Sequence, residues 1–184
     1  PYGVVCERFK KATPKASADM LAMGSLYKRK GFDVLIEAWS QIASEFPNST
    51  LHILGKGPLR EYLDQRIAEL HIGDSVHFHG FVDRQTVVET LSSVRAFVHP
   101  SRSEGFPHVR LEAMASACPV IATNVTGTSE MIRDGTDGLV VPIGEPEPLA
   151  EAITELLNRP EKSLKMGENA LNHAKEEFNW HDIT

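Results

Sequence analysis

Two carboxylates, Glu104 and Glu112, bracket the segment Glu104-Gly105-Phe106-Pro107-His108-Val109-Arg110-Leu111-Glu112. The apolar run Ala96-Phe97-Val98 precedes it and the small-residue stretch Ala113-Met114-Ala115-Ser116-Ala117 follows, so the region reads as strand, turn and helix. Gly105 would let backbone amides approach a ligand, and Pro107 suits a first helical position. Free amides at a helix start attract anions, each favourable charge there being worth roughly 0.3–1 kcal/mol when exposed. Carboxylates would repel the same anion. Glu104 and Glu112 therefore make sense facing hydroxyl groups, whose protons they accept in charge-assisted hydrogen bonds. The layout suits a polyol joined to phosphate, and a nucleotide sugar offers hydroxyls on both sides of its diphosphate.

Other candidate groups are weighed against plainer roles. Lys30 precedes Gly31 at the start of an amphipathic helix, from where its ammonium can pair with phosphate as a point charge. Its neighbours Lys28 and Arg29 read equally as a solubilising turn. Gly55-Lys56-Gly57-Pro58 begins a dinucleotide fingerprint, but Arg60 takes the third glycine's place, which leaves a tight turn that a nucleoside could still approach. His77 and His79 share one strand face, with neither a nearby third ligand nor a Cys or Asp spacing to make them a metal pair. His99 and His108 lie near the same crevice, where neutral imidazole can donate to phosphate or sugar oxygens from behind the primary contacts. Met20, Met23 and Met114 read as core.

Positioning these groups calls for a parallel sheet. Apolar strand-like runs recur at Met20–Met23, Leu51–Leu54, 76–78, 96–98, 120–122 and 139–141, with room for a helical crossover between successive runs. The clearest helix, 32–46, repeats Phe32, Leu35, Ile36, Trp39, Ile42, Ala43 and Phe46 at helical spacing. Further helices are expected over 59–70, more weakly from Asp83 or Arg84 to Leu91, and over 148–157 and 161–177, with Pro160 breaking between the last two. The fold class is α/β, a Rossmann-like doubly wound parallel six-stranded sheet in the order 3-2-1-4-5-6 with right-handed crossovers. In that order the switch point falls between the carboxyl ends of the first and fourth strands, at loops 24–30 and 100–107. The basic loop and the Glu-Gly-Phe loop should face each other there.

Composition bounds the alternatives. A chain of 184 residues can build one sizeable domain without a disulfide or metal staple. Its 19 Lys and Arg against 25 Asp and Glu leave a net charge of −6, and no basic run tracks a nucleic-acid backbone. Cys6 and Cys118 form no CxxC pair and are expected as free thiols in a reducing cytoplasm. The apolar runs fall well short of the roughly 20 residues of a membrane-spanning helix. The opening residues Pro1-Tyr2-Gly3-Val4-Val5-Cys6 look more like an interdomain connection than a natural start, so the chain is expected to be part of a longer protein.

In these motifs the chain resembles the C-terminal, donor-binding domain of GT-B retaining glycosyltransferases of the glycosyltransferase family 4 or group 1 type. The resemblance rests first on Glu-x7-Glu, Glu104 to Glu112. Met23-Gly24-Ser25-Leu26 with Lys30-Gly31-Phe32, Leu54-Gly55-Lys56-Gly57-Pro58, His79-Gly80-Phe81-Val82, and Gly127 with Glu130 before Asp134-Gly135 support it. It implies one half of a GT-B two-domain architecture, with residues 1–15 as an interdomain linker, 16–177 as the donor-binding domain and 178–184 as the start of a crossover helix. It also implies catalytic roles for Glu104 and Lys30, with Glu104 on the transferred sugar, Glu112 on the ribose, and Lys30 with the amides around Gly105, Phe106 and Pro107 on the diphosphate. Gly24, Ser25 and Gly55 would line the donor site, and Gly80, Phe81 and Val82 would border the base.

The family commonly carries arginine where this chain has Ser25, so Arg29 or Lys28 must substitute or leaving-group stabilisation is weaker. Implied with it are a UDP-, GDP- or ADP-sugar donor, hexosyltransferase chemistry with retention, no metal and no other cofactor. The acceptor is assigned to an N-terminal domain absent from this chain, as is any membrane-surface association. The domain alone is expected to bind donor and to transfer poorly. Three other readings stay open: a nucleotide-sugar 2-epimerase, a nucleotide-binding module without catalysis, and a receiver-type signalling module. The last would need clustered aspartates that Met23-Gly24-Ser25 lacks.

Overall fold

The computed structural model describes residues 17–105 and 107–178. Short runs of Met, Leu, Ile, Val and Phe alternate their side chains between two apolar layers, as strands buried on both faces require. They form β1 (Met20–Met23), β2 (Leu51–Leu54), β3 (Val76–Gly80), β4 (Ala96–His99), β5 (Val120–Thr123) and β6 (Gly138–Val141). All pair in parallel in the order β3-β2-β1-β4-β5-β6, with Met20 opposite Leu51 on one side and Ala96 on the other. Both the six strands and their expected order are found. The helices are α1 (Phe32–Ile42), α2 (Arg60–Glu69), α3 (Arg84–Ser93), α4 (His108–Ala115), α5 (Thr128–Met131), α6 (Pro146–Asn158) and α7 (Pro160–Glu177).

The strand period divides the core. Met20, Ala22, Leu51, Ile53 and Val98 face α1, α2 and α6, where Trp39, Phe32 and Ile153 fill the layer. Leu21, Leu54, Phe97 and Val120 face the other way, toward Leu91 of α3, Leu111 and Met114 of α4 and Ala174 of α7. At roughly 1.5–3 kcal/mol for each large side chain removed from water, these two layers supply the main force holding the crossovers in place.

Local chemistry shifts several expected boundaries. The first helix stops at Ile42 and not at Phe46: the Glu45 N–H donates to the Ile42 carbonyl three residues back, which tightens the chain out of the α-helical ladder, and Pro47 disfavours a helical conformation at the residue before it. Phe46 still packs on the core. Pro107 precedes α4 as its cap residue at φ −81° and ψ 87°, so it is not the first helical position expected for it. The turn α5 was not expected, being too short for a periodic signal. His77 and His79 do have a third imidazole nearby, contrary to expectation: His52 of the adjacent strand β2 approaches His79 with Nδ1 and Nε2 2.9 Å apart. Strand pairing, which local spacing cannot reveal, brings them together. Even so, no group of three or more His, Cys, Asp or Glu among the described residues is arranged to hold a metal ion. Cys118 is buried, while Cys6, the expected linker and most of segment 178–184 lie outside the described residues. No helix among the described residues is long and apolar enough to cross a membrane.

Two glycines bring loops together at the carboxyl end of the sheet. Gly31, at φ +70°, closes the turn before α1 so tightly on β4's end that a Cβ there would stand 2.0 Å from the Pro100 carbonyl oxygen. Gly55, at φ +143°, lays the end of β2 on that of β1, where a Cβ would come within 1.9 Å of the Gly24 oxygen. Both positions therefore exclude any side chain.

Gly167, in the middle of α7, offers a test of whether packing or propensity decides. Alanine is favoured over glycine by about 0.8–1.0 kcal/mol in a helix interior, but a Cβ at Gly167 would lie 2.2 Å from the Ala117 carbonyl oxygen. Pushing α7 off α4 is an overpacking cost of about 1–3 kcal/mol. Gly167→Ala should thus lower the urea unfolding free energy, by up to about 2 kcal/mol; a gain would show that propensity prevails.

Candidate functional site

The loops leaving β1, β2 and β3 wall a cavity of about 600 Å³. Met23, Gly24 and Ser25 form one side, Leu54, Gly55 and Lys56 a second, Gly80, Phe81 and Val82 a third, and Val87 of α3 closes it. The sequence-derived residues Gly24, Ser25, Gly55, Gly80, Phe81 and Val82 thus converge on one hollow. Its position beside the β1–β4 switch point is where an open α/β sheet leaves a crevice. Phe81 holds its ring largely in solvent, 83% exposed, at the cavity wall.

Beside this cavity the basic loop and the acidic loop meet as expected from the topology. Lys30 Nζ donates to Glu104 Oε1 at 2.5 Å across 74 residues of sequence. The stem of Lys30 runs along Gly24, its Cδ 3.8 Å from where a Cβ would be, which joins the ion pair to the cavity wall. The turn Lys28–Lys30 is fixed from behind by Arg102. Its guanidinium makes a two-pronged bond to Asp33 at 2.7 and 2.8 Å and donates to the Lys28 carbonyl, while its own N–H donates to the Arg29 carbonyl.

The Glu104 carboxylate is 7% exposed and collects donors from separate elements. Ser101 Oγ donates to Oε1 alongside Lys30, His99 Nε2 stands 3.3 Å from Oε1, and Arg29 Nη1 lies 3.9 Å from Oε2. Burial acts to raise the carboxyl pKa, but His99, Lys30 and Ser101 together overcome it and hold Glu104 well below the usual carboxylate range. Glu104 is therefore ionised, with Oε2 its less committed oxygen. His99 is held neutral: burial pushes its pKa down, and Arg110 and Lys30 push the same way against the pull of Glu104.

Glu112 makes its ion pair elsewhere, on the α3 side, where Arg84 Nη2 approaches Oε1 at 3.3 Å. Burial raises its pKa above the ordinary value, with Arg84 and His108 opposing. Gly105 is exposed at the start of the acidic loop, with open space where a Cβ would point, and Phe106 lies outside the described residues. Pro107 has no N–H, so it supplies no amide to an anion, contrary to expectation, and the donors at this helix start are the first residues of α4. His108 is exposed on that first turn, whereas His99 is buried against Glu104.

Several residues of the site went unrecognised in the sequence. Arg110 is fully buried, and donates from Nε to His99 Nδ1 at 2.9 Å and from Nη1 to Thr128 Oγ1 at 2.7 Å. Thr128 Oγ1 donates to the Thr123 carbonyl, and Thr123 Oγ1 to the Ser101 carbonyl. The only signal in the sequence was an arginine embedded among Val109, Leu111, Ala113 and Met114, a position that a core-facing helix stripe would fill with an apolar residue.

The family model described as "Glycosyl transferases group 1" matches residues 6–173. Alpha-D-kanosaminyltransferase of Streptomyces kanamyceticus is 33% identical over 151 residues, covering 82% of this chain and 39% of the relative. Sucrose-phosphate synthase from Thermosynechococcus elongatus superposes with a TM-score of 0.90 at 29% identity, over 100% of this chain and 49% of that one. Anabaena Alr3699/HepE in complex with UDP gives 0.83 at 26% identity, over 91% and 46%. The chain thus spans less than half the length of each of these proteins.

The depressed Glu104 pKa fixes the sign of an acid effect. The unfolded carboxyl takes up a proton that the folded one refuses, so its stabilisation is complete above the ordinary value of 4.5 and is lost as pH falls through the lower folded value. Glu104→Gln should cost about 3 kcal/mol at neutral pH, by leaving Lys30 without its counter-charge. It should also flatten the decline in unfolding free energy below about pH 5. An acid limb as steep as in the wild type would show that Glu104 is not the group responsible.

Proposed function

The chain belongs to the glycosyl transferases group 1 family, and from that premise we propose that it is the nucleotide-sugar-binding part of a retaining glycosyltransferase. The observation that carries this reading is the Lys30–Glu104 ion pair, whose lysine stem passes Gly24 in the wall of the cavity that Gly55 and Gly80 also line. A cation and a carboxylate side by side match a ligand that alternates phosphate and alcohol. In this reading the base and ribose enter the cavity, near Gly80, Phe81 and Val82, and Glu112 faces the ribose hydroxyls. The diphosphate lies over Lys30 and the first turn of α4, and the sugar presents its hydroxyls to Glu104 Oε2. Lys30 has three ammonium protons and gives one to Glu104, which leaves two for phosphate oxygens.

Charge accumulates on the diphosphate as the bond to the sugar breaks, and Lys30 stabilises it there without rearrangement. Ser25 can contribute only a hydroxyl, so Arg29 takes the part of second cation: its guanidinium already lies 3.9 Å from Glu104 while Lys28 makes no contact with that carboxylate. The departing diphosphate helps take the acceptor proton, and Lys30 and Arg29 stand where a metal would otherwise neutralise it, so this reading calls for no metal or further cofactor. The acceptor is assigned to another domain of the full-length protein, and the domain alone transfers sugar poorly. Sugar, base and acceptor are open to experiment, and because the HepE complex holds UDP, the uridine nucleotide is the first to test.

Titration calorimetry with UDP, GDP and ADP should show one of them binding this domain. Lys30→Ala should weaken it about 10–100-fold, as the loss of a charge-assisted hydrogen bond implies. Glu112→Gln should weaken it about tenfold. The same change should raise the melting temperature of the free domain, because the ionised Glu112 is disfavoured by its burial. If none of the three nucleotides binds, the donor-site reading is wrong.

A further inference from the structure

A buried arginine with no carboxylate within bonding reach among the described residues needs a reason. Arg110 is 0% exposed, and its hydrogen bonds go to two neutral acceptors, His99 Nδ1 and Thr128 Oγ1, with Nη2 left without a partner among the described residues. Guanidinium has only donors, so His99 Nδ1 must be the unprotonated nitrogen. The neutral ring then carries its proton on Nε2, itself buried and lacking a well-formed hydrogen bond, 3.3 Å from Glu104 Oε1. We propose that Arg110 is a positioning residue that locks His99 as the neutral Nε2–H tautomer, so that the ring offers a proton, never a lone pair, toward Glu104 and the ligand oxygens beside it.

The alternative tautomer would turn a lone pair on Glu104, and repulsion between it and the carboxylate would swing the acid out of its place. A protonated ring meets two cations against one anion. Arg110 on α4 and Lys30 before α1 are both cationic, Glu104 is the single anion in contact, and Thr128 and Ser101 are neutral. Arg110 itself is an atypically weakened cation, pushed down to about 10 by burial with Glu104 opposing, which fits a group retained for its fork of donors. The fork is aimed from behind by Thr128, whose hydroxyl proton goes to the Thr123 carbonyl, leaving its oxygen free to accept.

This inference rests on the donor-site reading for its consequence but not for its test. Nitrogen-resolved NMR of the imidazole rings reads the tautomer directly in the nucleotide-free domain. Wild-type His99 should be protonated on Nε2 only and should titrate at lower pH than an ordinary imidazole. In Arg110→Met it should mix tautomers or titrate at higher pH than in wild type, and in Thr128→Val, which keeps the buried cation but frees the fork, the Nε2–H signal should weaken. With UDP, or whichever nucleotide the wild type binds, the dissociation constant of Arg110→Met should rise about tenfold and acquire a histidine-like pH dependence absent from wild type. His99 protonated on Nδ1 in the wild type, or an Arg110→Met that folds with tautomer and titration unchanged, would overturn the proposal. Expected tautomers with no nucleotide bound would instead remove the donor reading and leave the positioning role standing.

Discussion

One buried negative charge organises this end of the molecule. A carboxylate that is 7% exposed is costly unless its lone pairs are met, and Glu104 is met by an ammonium from the turn before α1, a hydroxyl from its own loop and an imidazole from the end of β4. Removing any one donor does more than subtract a bond, since the rest must then hold a charge they do not fully compensate. The demand propagates outward. His99 can serve only in one protonation state, which brings in Arg110; Arg110 needs an acceptor, which brings in Thr128; and Thr128 and Ser101 both tie back to Thr123. The contacts close into a ring spanning β4, β5, α4 and α5.

The scaffold makes that ring possible by placing loops at less than side-chain distance. Lys30 and Glu104 are 74 residues apart, and they meet because Gly31 lets the α1 turn touch the end of β4 and because strand order sets β1 beside β4. Gly55 does the same between β1 and β2, which shapes the cavity wall next to the pair. The two hydrophobic layers hold the sheet; the glycines decide how near its loops come.

Much of this was legible in the amino-acid order. Six apolar runs set the strands within a residue or two, the crossover rule sets their order, and the switch point places loops 24–30 and 100–107 opposite one another. What stayed hidden depended on three dimensions. Arg110 reads as an ordinary helix arginine until the helix is seen to bury that face, and Thr128 sits in a turn too short to leave a period. His52 meets His79 only through strand pairing. Pro107 shows the limit of local rules, since a residue favoured at a first helical position sits here one place earlier.

The clamp on the basic turn has a thermodynamic corollary. Arg102 grips Asp33 with both prongs and reaches the backbone of Lys28 and Arg29, so the stretch that carries Lys30 is tied in place by contacts within the chain itself. An anion arriving there finds the ammonium aimed and the backbone stiff, and the disorder that association would otherwise have to remove was surrendered when the polypeptide folded.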